Sequence, residues 1–334
     1  MYSHIAGQFQ HMPRATSFPC SQRGVALVSV LLIVAILLAV TSRLMATHNL
    51  VINQHQNTFE QNQALQYAFG AETLARQALY VDFNTTGQDV DHMGELWAQQ
   101  TMPFELDEGG FLEAQLRDLN GCLNINGVVG SDPKTAKKRF KQLLQNLSLP
   151  LQIADTWTDW VDGDDVLTGF GAEDSEYLIA QPAYRTPNHI VADISELYLL
   201  QNIEREQLDI LLPHICLLPI ADSQLNINTI NAQTLASLDS ALSLETAQSI
   251  AEADRSYANV QEFTTAFPDF AATASALSVT SEYFLLHAQA QVGSSSVTLQ
   301  SLLHRDVSSG NVTVLRRDFG KLFRSNLTLD IEES

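Results

Sequence analysis

An uncharged run of eighteen residues, Val25 to Ser42, constrains this chain more than any other feature. It reads VALVSVLLIVAILLAVTS and contains no proline. As an α-helix at ~1.5 Å per residue it would span roughly 27 Å, close to the ~30 Å of a bilayer's hydrocarbon core. Arg23 precedes the run and Arg43 ends it, while the first carboxylate in the chain is Glu60. Basic flanks stay cytoplasmic, so Arg14 and Arg23 hold the short side in and the acidic remainder goes out. Three readings share these facts. A plain signal anchor explains the run, and so does a cleaved secretory signal, with LAVTS as a small-residue cleavage site. The third is an anchor whose helix continues into a soluble body, and two facts favour it. Arg23-Gly24 directly abuts the apolar run, and from Leu44 to Tyr80 there is no proline and one glycine, Gly70. Leu65, Ala68, Ala71, Leu74, Ala75, Ala78 and Leu79 recur at helical spacing, which predicts one helix from Val25 to Tyr80.

Composition narrows the function. The 334 residues carry a formal charge of -20, against the clustered Lys and Arg that phosphate neutralisation requires. Residues 120–285 hold 8 basic and 22 acidic side chains. Within them LNINTINAQTLASLDSALSLETAQSIAEA has the outline of a helix-hairpin-helix, but its turn, LDSALSL, lacks the glycines that let backbone amides reach a phosphate. No partner nucleic acid is expected. Catalysis has no support either: there is no phosphate loop, no nucleophile elbow and no paired metal-type histidines, and His189, His214, His287 and His304 are scattered.

The body reads as α+β. Residues 111–126 alternate well enough for one or two strands, and helical patterns dominate from Gly127 to Leu286, among them TAKKRFKQLLQNL, IADTWTDWV, VADISELYLL, REQLDILLPHI and LETAQSIAEA. Asp193 or Ser195, and Asn231, are the expected N-caps. Strand patterns return in FLLHAQAQV, VTLQSLLHRD and NVTVLRRDF, with Gly310-Asn311 at the last turn, and the closing LDIEES should fray. LNIN occurs at Leu123–Asn126 and again at Leu225–Asn228, a short echo that fits two strand-to-helix junctions or two helical lobes.

Residues 159–176 read DWVDGDDVLTGFGAEDSE and carry seven carboxylates: Asp159, Asp162, Asp164, Asp165, Glu173, Asp174 and Glu176. Calcium takes six to eight oxygens in flexible geometry, and acids on a loop that Gly169 and Gly171 allow to fold back supply them. Asp162, Asp164 and Glu173 fall at positions one, three and twelve of an EF-hand frame, but Val166 and Leu167 break it at five and six. The segment holds no Cys or His for zinc, and a solvated acidic loop is the alternative. Of three cysteines, Cys20 precedes the apolar run; Cys122 and Cys216 would meet oxidising conditions if the body is exported and are then candidates to pair.

QRGVALVSVLLIVAILLAV resembles the prepilin-peptidase signal of type IV pilins and type II secretion pseudopilins. LQYAFGAETLARQAL, WTDWVDGDD, GAEDSEYL, PAYRTPN, ISELYLL, LPHICLLP, LNINTINAQTLASL and VTVLRRDFGK, in that order from about Arg23 to Phe323, resemble the general secretion pathway protein K family. The resemblance implies cleavage by prepilin peptidase between Gly24 and Val25, with an N-methylated Val25. It implies a pseudopilin fold, a long N-terminal helix on a small antiparallel sheet, carrying a large all-helical insertion that binds calcium. The expected segments are leader 1–24, membrane helix 25–46, core 47–118, insertion 119–285 and core strands 286–334. Partners would be the I- and J-type minor pseudopilins and the major pseudopilin, with the helix in the inner membrane and the body in the periplasm. Most pseudopilins carry Glu at mature position five; here it is Ser29, as in the K type, which is placed at the filament tip. A type IV pilus-like minor pilin, or a signal-anchored periplasmic calcium-binding protein, are the alternatives.

Overall fold

The computed structural model describes residues 23–85, 90–99, 103–106, 110–201 and 203–321. The expected leader 1–24 therefore lies outside it except for Arg23 and Gly24, as do Cys20 and the closing LDIEES. Two units divide the chain, residues 1–59 and 60–334. The first helix, α1, runs Arg23–Thr85 without a break, five residues beyond the expected end at Tyr80. In the first unit its described side chains are exposed, and its apolar stretch has a mean hydropathy of 2.9, long and apolar enough to cross a membrane.

In the second unit, residues 60–85 of α1 lie on a five-stranded antiparallel sheet. Its strands are β1 (Phe104–Leu106), β2 (Gly110–Asp118), β7 (Tyr283–Val292), β8 (Ser295–Arg305) and β9 (Val312–Asp318), in the order β1-β2-β7-β8-β9. Ala64, Ala68, Ala71, Ala75 and Leu79 are buried at helical spacing. Their small side chains let the helix approach Ala290, Val292 and Leu299, while Leu79 packs with Trp97, Phe284, Leu286 and Leu303. Buried Glu72 is held by Arg317 through two hydrogen bonds of 2.7 and 2.8 Å and by Ser301 Oγ at 2.7 Å, tying α1 to β8 and β9. The β8–β9 turn closes through Gly310 at φ +69°, a conformation glycine adopts without strain.

Between β2 and β7 the chain builds two lobes. In the first, β3 (Leu123–Asn124) pairs in parallel with β4 (Ile215–Cys216), enclosing α2 (Pro133–Asn146), α3 (Gln152–Val161), α4 (Asp174–Tyr177) and α5 (Arg205–Leu211). In the second, β5 (Leu225–Asn226) pairs with β6 (Leu277–Ser278) around α6 (Ala232–Ala236), α7 (Leu244–Glu252) and α8 (Val260–Ala266). Each lobe has its own apolar core, one around Phe140, Trp157, Trp160 and Tyr177 and the other around Ile227, Leu235, Phe263 and Phe270.

The LNIN echo sits where the chain enters each lobe, and both copies perform the same task. Asn126 N donates to Asn124 Oδ1 and Asn228 N donates to Asn226 Oδ1. The second Asn of each motif then donates across its lobe, Asn126 to Val191 O and Leu218 O, Asn228 to Tyr257 O. Buried amides are costly unless bonded, so these asparagines fix where each lobe closes.

Three details add to these expectations. The helical insertion also holds a two-residue parallel bridge that closes each lobe. The strand that follows it, β7, starts at Tyr283. ISELYL forms a 3₁₀ helix, Ile194–Leu199, in which Leu197 is buried: six residues between two extended ends close more readily by i→i+3 bonds than by full α-turns. Asp193 caps it by accepting from Ser195 N, and Asn231 caps α6 by accepting from Thr234 N.

Candidate cation site and its family

The acidic segment begins on α3, whose ten residues are almost wholly buried. Asp155 and Asp159 lie four residues apart and so share a face of that helix. Lys137 and Lys141 of α2 reach Asp155 Oδ1 at 2.9 and 2.8 Å. Burial opposes the charge on Asp155, but the hydrogen bonds from Lys141 and Lys137 hold its carboxyl below the ordinary range. Asp159 accepts from Thr168 N at 3.1 Å. The loop folds back closely over α3. Gly169 has φ +62°, and a Cβ there would sit 2.6 Å from Asp155 Oδ2; one at Gly171 would overlap the Asp159 carboxylate.

Three of the seven acids converge. Asp162, Asp164 and Glu173 each place a carboxylate oxygen within 4.8 Å of the others. Glu173 is only 4% exposed, and among the described residues neither of its carboxylate oxygens has a hydrogen-bond partner; Asp162 Oδ1 is likewise buried and unpartnered among them. Burial first, then Asp159, Asp162, Asp165 and Asp164, pushes Glu173 up to about 7. Burial followed by Asp164 and Asp159 pushes Asp162 up to about 6. Buried carboxylates that repel one another and lack donors are what a hard cation with oxygen preference compensates, so the residues fit calcium.

The other acids do different work. Asp165 is exposed on the loop. Asp174 accepts from Thr186 N and Thr186 Oγ1, each at 2.9 Å, and pairs with Arg185, contacts that hold its carboxyl low. Glu176 accepts from Ser175 Oγ and from Glu173 N, capping α4. Sequence reasoning missed Asp155, and the i, i+4 spacing from Asp159 on α3 was the signal for it.

The remaining candidates lie elsewhere. Gly24 and Val25 are in the first turn of α1, and Ser29 Oγ donates to Ala26 O at 2.9 Å, satisfied within the helix. Cys122 and Cys216 are free thiols, both buried in one cluster with Leu119, Leu218, Tyr283 and Leu302. Cys216 Sγ lies 3.2 Å from Cys122 O, and both thiols donate to Leu119 O.

The type II secretion system protein K of Pseudomonas aeruginosa is 34% identical over 315 residues, covering 90% of this chain and 93% of its own. This chain belongs to the type II secretion system protein K family. The protein K of Pectobacterium carotovorum is 31% identical over 322 residues, covering 90% of this chain and 97% of its own. The family model for type II secretion system protein K matches residues 121–220, which is the first lobe. A crystal structure of the GspK-GspI-GspJ complex from enterotoxigenic Escherichia coli holds a chain that superposes with TM-score 0.71 at 28% identity, covering 80% of this chain and all of that one. The protein K fold is thus the α+β pseudopilin fold, and this chain is a minor pseudopilin component of type II secretion.

Proposed function

We propose that this chain is a non-enzymatic subunit that starts or caps the periplasmic pseudopilus, in complex with I- and J-type minor pseudopilins. Prepilin peptidase cuts between Gly24 and Val25, Val25 is methylated, and residues 25–46 of α1 hold the protein in the inner membrane with residues 47–334 in the periplasm. The observation that carries this reading is Ser29, the one polar side chain between Val25 and Val40 of α1. A hydroxyl bonded to its own helix offers no carboxylate to a neighbouring subunit's amino terminus. The likeness to a chain crystallised with GspI and GspJ supports the partners. With no carboxylate at Ser29 and a bulky two-lobed insertion, addition of subunits stops at this chain, and the filament below it drives folded proteins across the outer membrane.

The same proposal includes one structural calcium ion held by Asp162, Asp164 and Glu173, and, in the oxidising periplasm, a bond between Cys122 and Cys216. The ion supplies positive charge only and takes part in no reaction. The test of function is complementation of a strain lacking this gene. The chain is expected to restore secretion, and Ser29→Glu to lower it and alter pseudopilus assembly; unchanged secretion and assembly with Ser29→Glu would remove the tip assignment.

A further inference from the structure

The loop that folds over α3 exposes apolar side chains in a way the rest of the two lobes does not. Among the described residues from 119 to 285, every large apolar side chain that is more than half exposed lies between 166 and 179: Val166 (70%), Leu167 (53%), Phe170 (83%) and Ile179 (82%). Their exposure follows from how the backbone is pinned. Thr168 N donates to Asp159, Gly171 N donates to Thr168 O, and Val166 N donates to Asp164 Oδ1 at 2.9 Å. Ala172 and Tyr177 turn inward and are buried, so the chain had the option of burying more. Soluble surfaces rarely gather large apolar groups on one short segment unless something covers them.

Charge selects what covers them. Asp162, Asp164 and Asp165 precede Val166 and Leu167 directly in sequence, Asp164 and Asp165 are exposed, and among the described residues none of the three has a cation within 4 Å; the loop's ion pairs are at Asp155 and Asp174. A divalent cation on the converging acids leaves the segment acidic. An anionic lipid surface and a second copy of the same loop are therefore repelled. A basic protein surface with an apolar cleft is attracted by the rim and gains from covering the centre, the arrangement found at interface hot spots.

We propose that residues 164–179 form a docking surface for a cationic partner protein outside the pseudopilus, with Phe170 and Ile179 as its apolar anchors and the exposed Asp164 and Asp165 as its steering rim. The surface is defined by exposure and charge, and it stands with or without a bound ion. The test uses the full chain in secreting cells, with benzoylphenylalanine in place of Phe170, ultraviolet cross-linking, and mass spectrometry of the attached peptide. The expected adduct is a protein other than a pseudopilin, joined through a Lys- or Arg-rich peptide, its yield falling about tenfold with Ile179→Ser and falling also with Asp165→Lys. Both substituted side chains are exposed, and unchanged melting of each variant shows that a lost adduct is not lost folding. An adduct to lipid, to another pseudopilin or to a second copy, a yield indifferent to both substitutions, or no adduct at all would overturn the proposal.

Discussion

Glu173 and Asp174 are neighbours in sequence with opposite environments. Glu173 is buried without a donor, whereas Asp174 is held by Thr186 and Arg185. Their substitutions should separate accordingly. Glu173→Ala is expected to weaken calcium binding more than about tenfold, measured by calorimetry, while Asp174→Asn leaves that affinity within about twofold. The seven acids of this segment were legible as a group because charge density is a property of sequence. Which three converge was not, because that depends on Gly169 and Gly171 bringing the loop onto Asp155 and Asp159. The EF-hand frame put Asp162, Asp164 and Glu173 at positions one, three and twelve, but its failure at Val166 and Leu167 left no ground in the sequence for choosing them over the other four. A second residue-scale prediction concerns Asp82. Burial, then Glu95 and Asp91, raises its carboxyl from 3.8 to about 7, with Arg305 opposing. The unfolded chain loses that proton first, so folding stability falls as pH rises from about 4 to about 7 and is flat above. Asp82→Asn should change little at pH 4 and stabilise the body at pH 8 by roughly 2–4 kcal/mol, read from denaturant melts at the two pH values.

At the scale of elements, α1 was legible because its stretch carries no proline and repeats small side chains every three or four residues. Its last turn was not, since nothing after Tyr80 breaks the helix by sequence alone and α1 runs on to Thr85. Strands β7, β8 and β9 followed from alternation, which the burial of alternate residues along β7 reproduces. The two-residue bridges β3–β4 and β5–β6 carried no such pattern; their partners lie more than fifty residues apart and only the asparagines of LNIN mark them. The loop over α3 yields a sharp prediction. Gly171→Ala forces the backbone off Asp159 and should destabilise the protein by roughly 2–4 kcal/mol, lowering the thermal midpoint and the affinity for calcium together.

Across the whole molecule, a buried polar clasp joins the second lobe to the sheet. Asp118 at the end of β2 accepts from Ser281 Oγ at 2.6 Å, from Asn120 N at 2.7 Å and from Thr229 Oγ1. Asn226 donates to Asp91 O at 3.0 Å and Ser281 Oγ at 2.8 Å, and Arg305 pairs with Asp91 and packs on Phe83 and Phe284. Removing one member strands the others in a low-dielectric site. Asn226→Ala should cost roughly 2–4 kcal/mol and split thermal unfolding into two transitions, resolved by scanning calorimetry. None of this clasp could be read from sequence, because its members come from β2, β5, β8 and the loops between them. The role assigned to the whole chain requires a helix that is processed behind Gly24 and stays attached to the body it carries. Mass spectrometry of the protein isolated from membranes of secreting cells tests this most directly. The predicted amino terminus is N-methylated Val25; a chain that keeps residues 1–24, or one that begins beyond Val40, would contradict it.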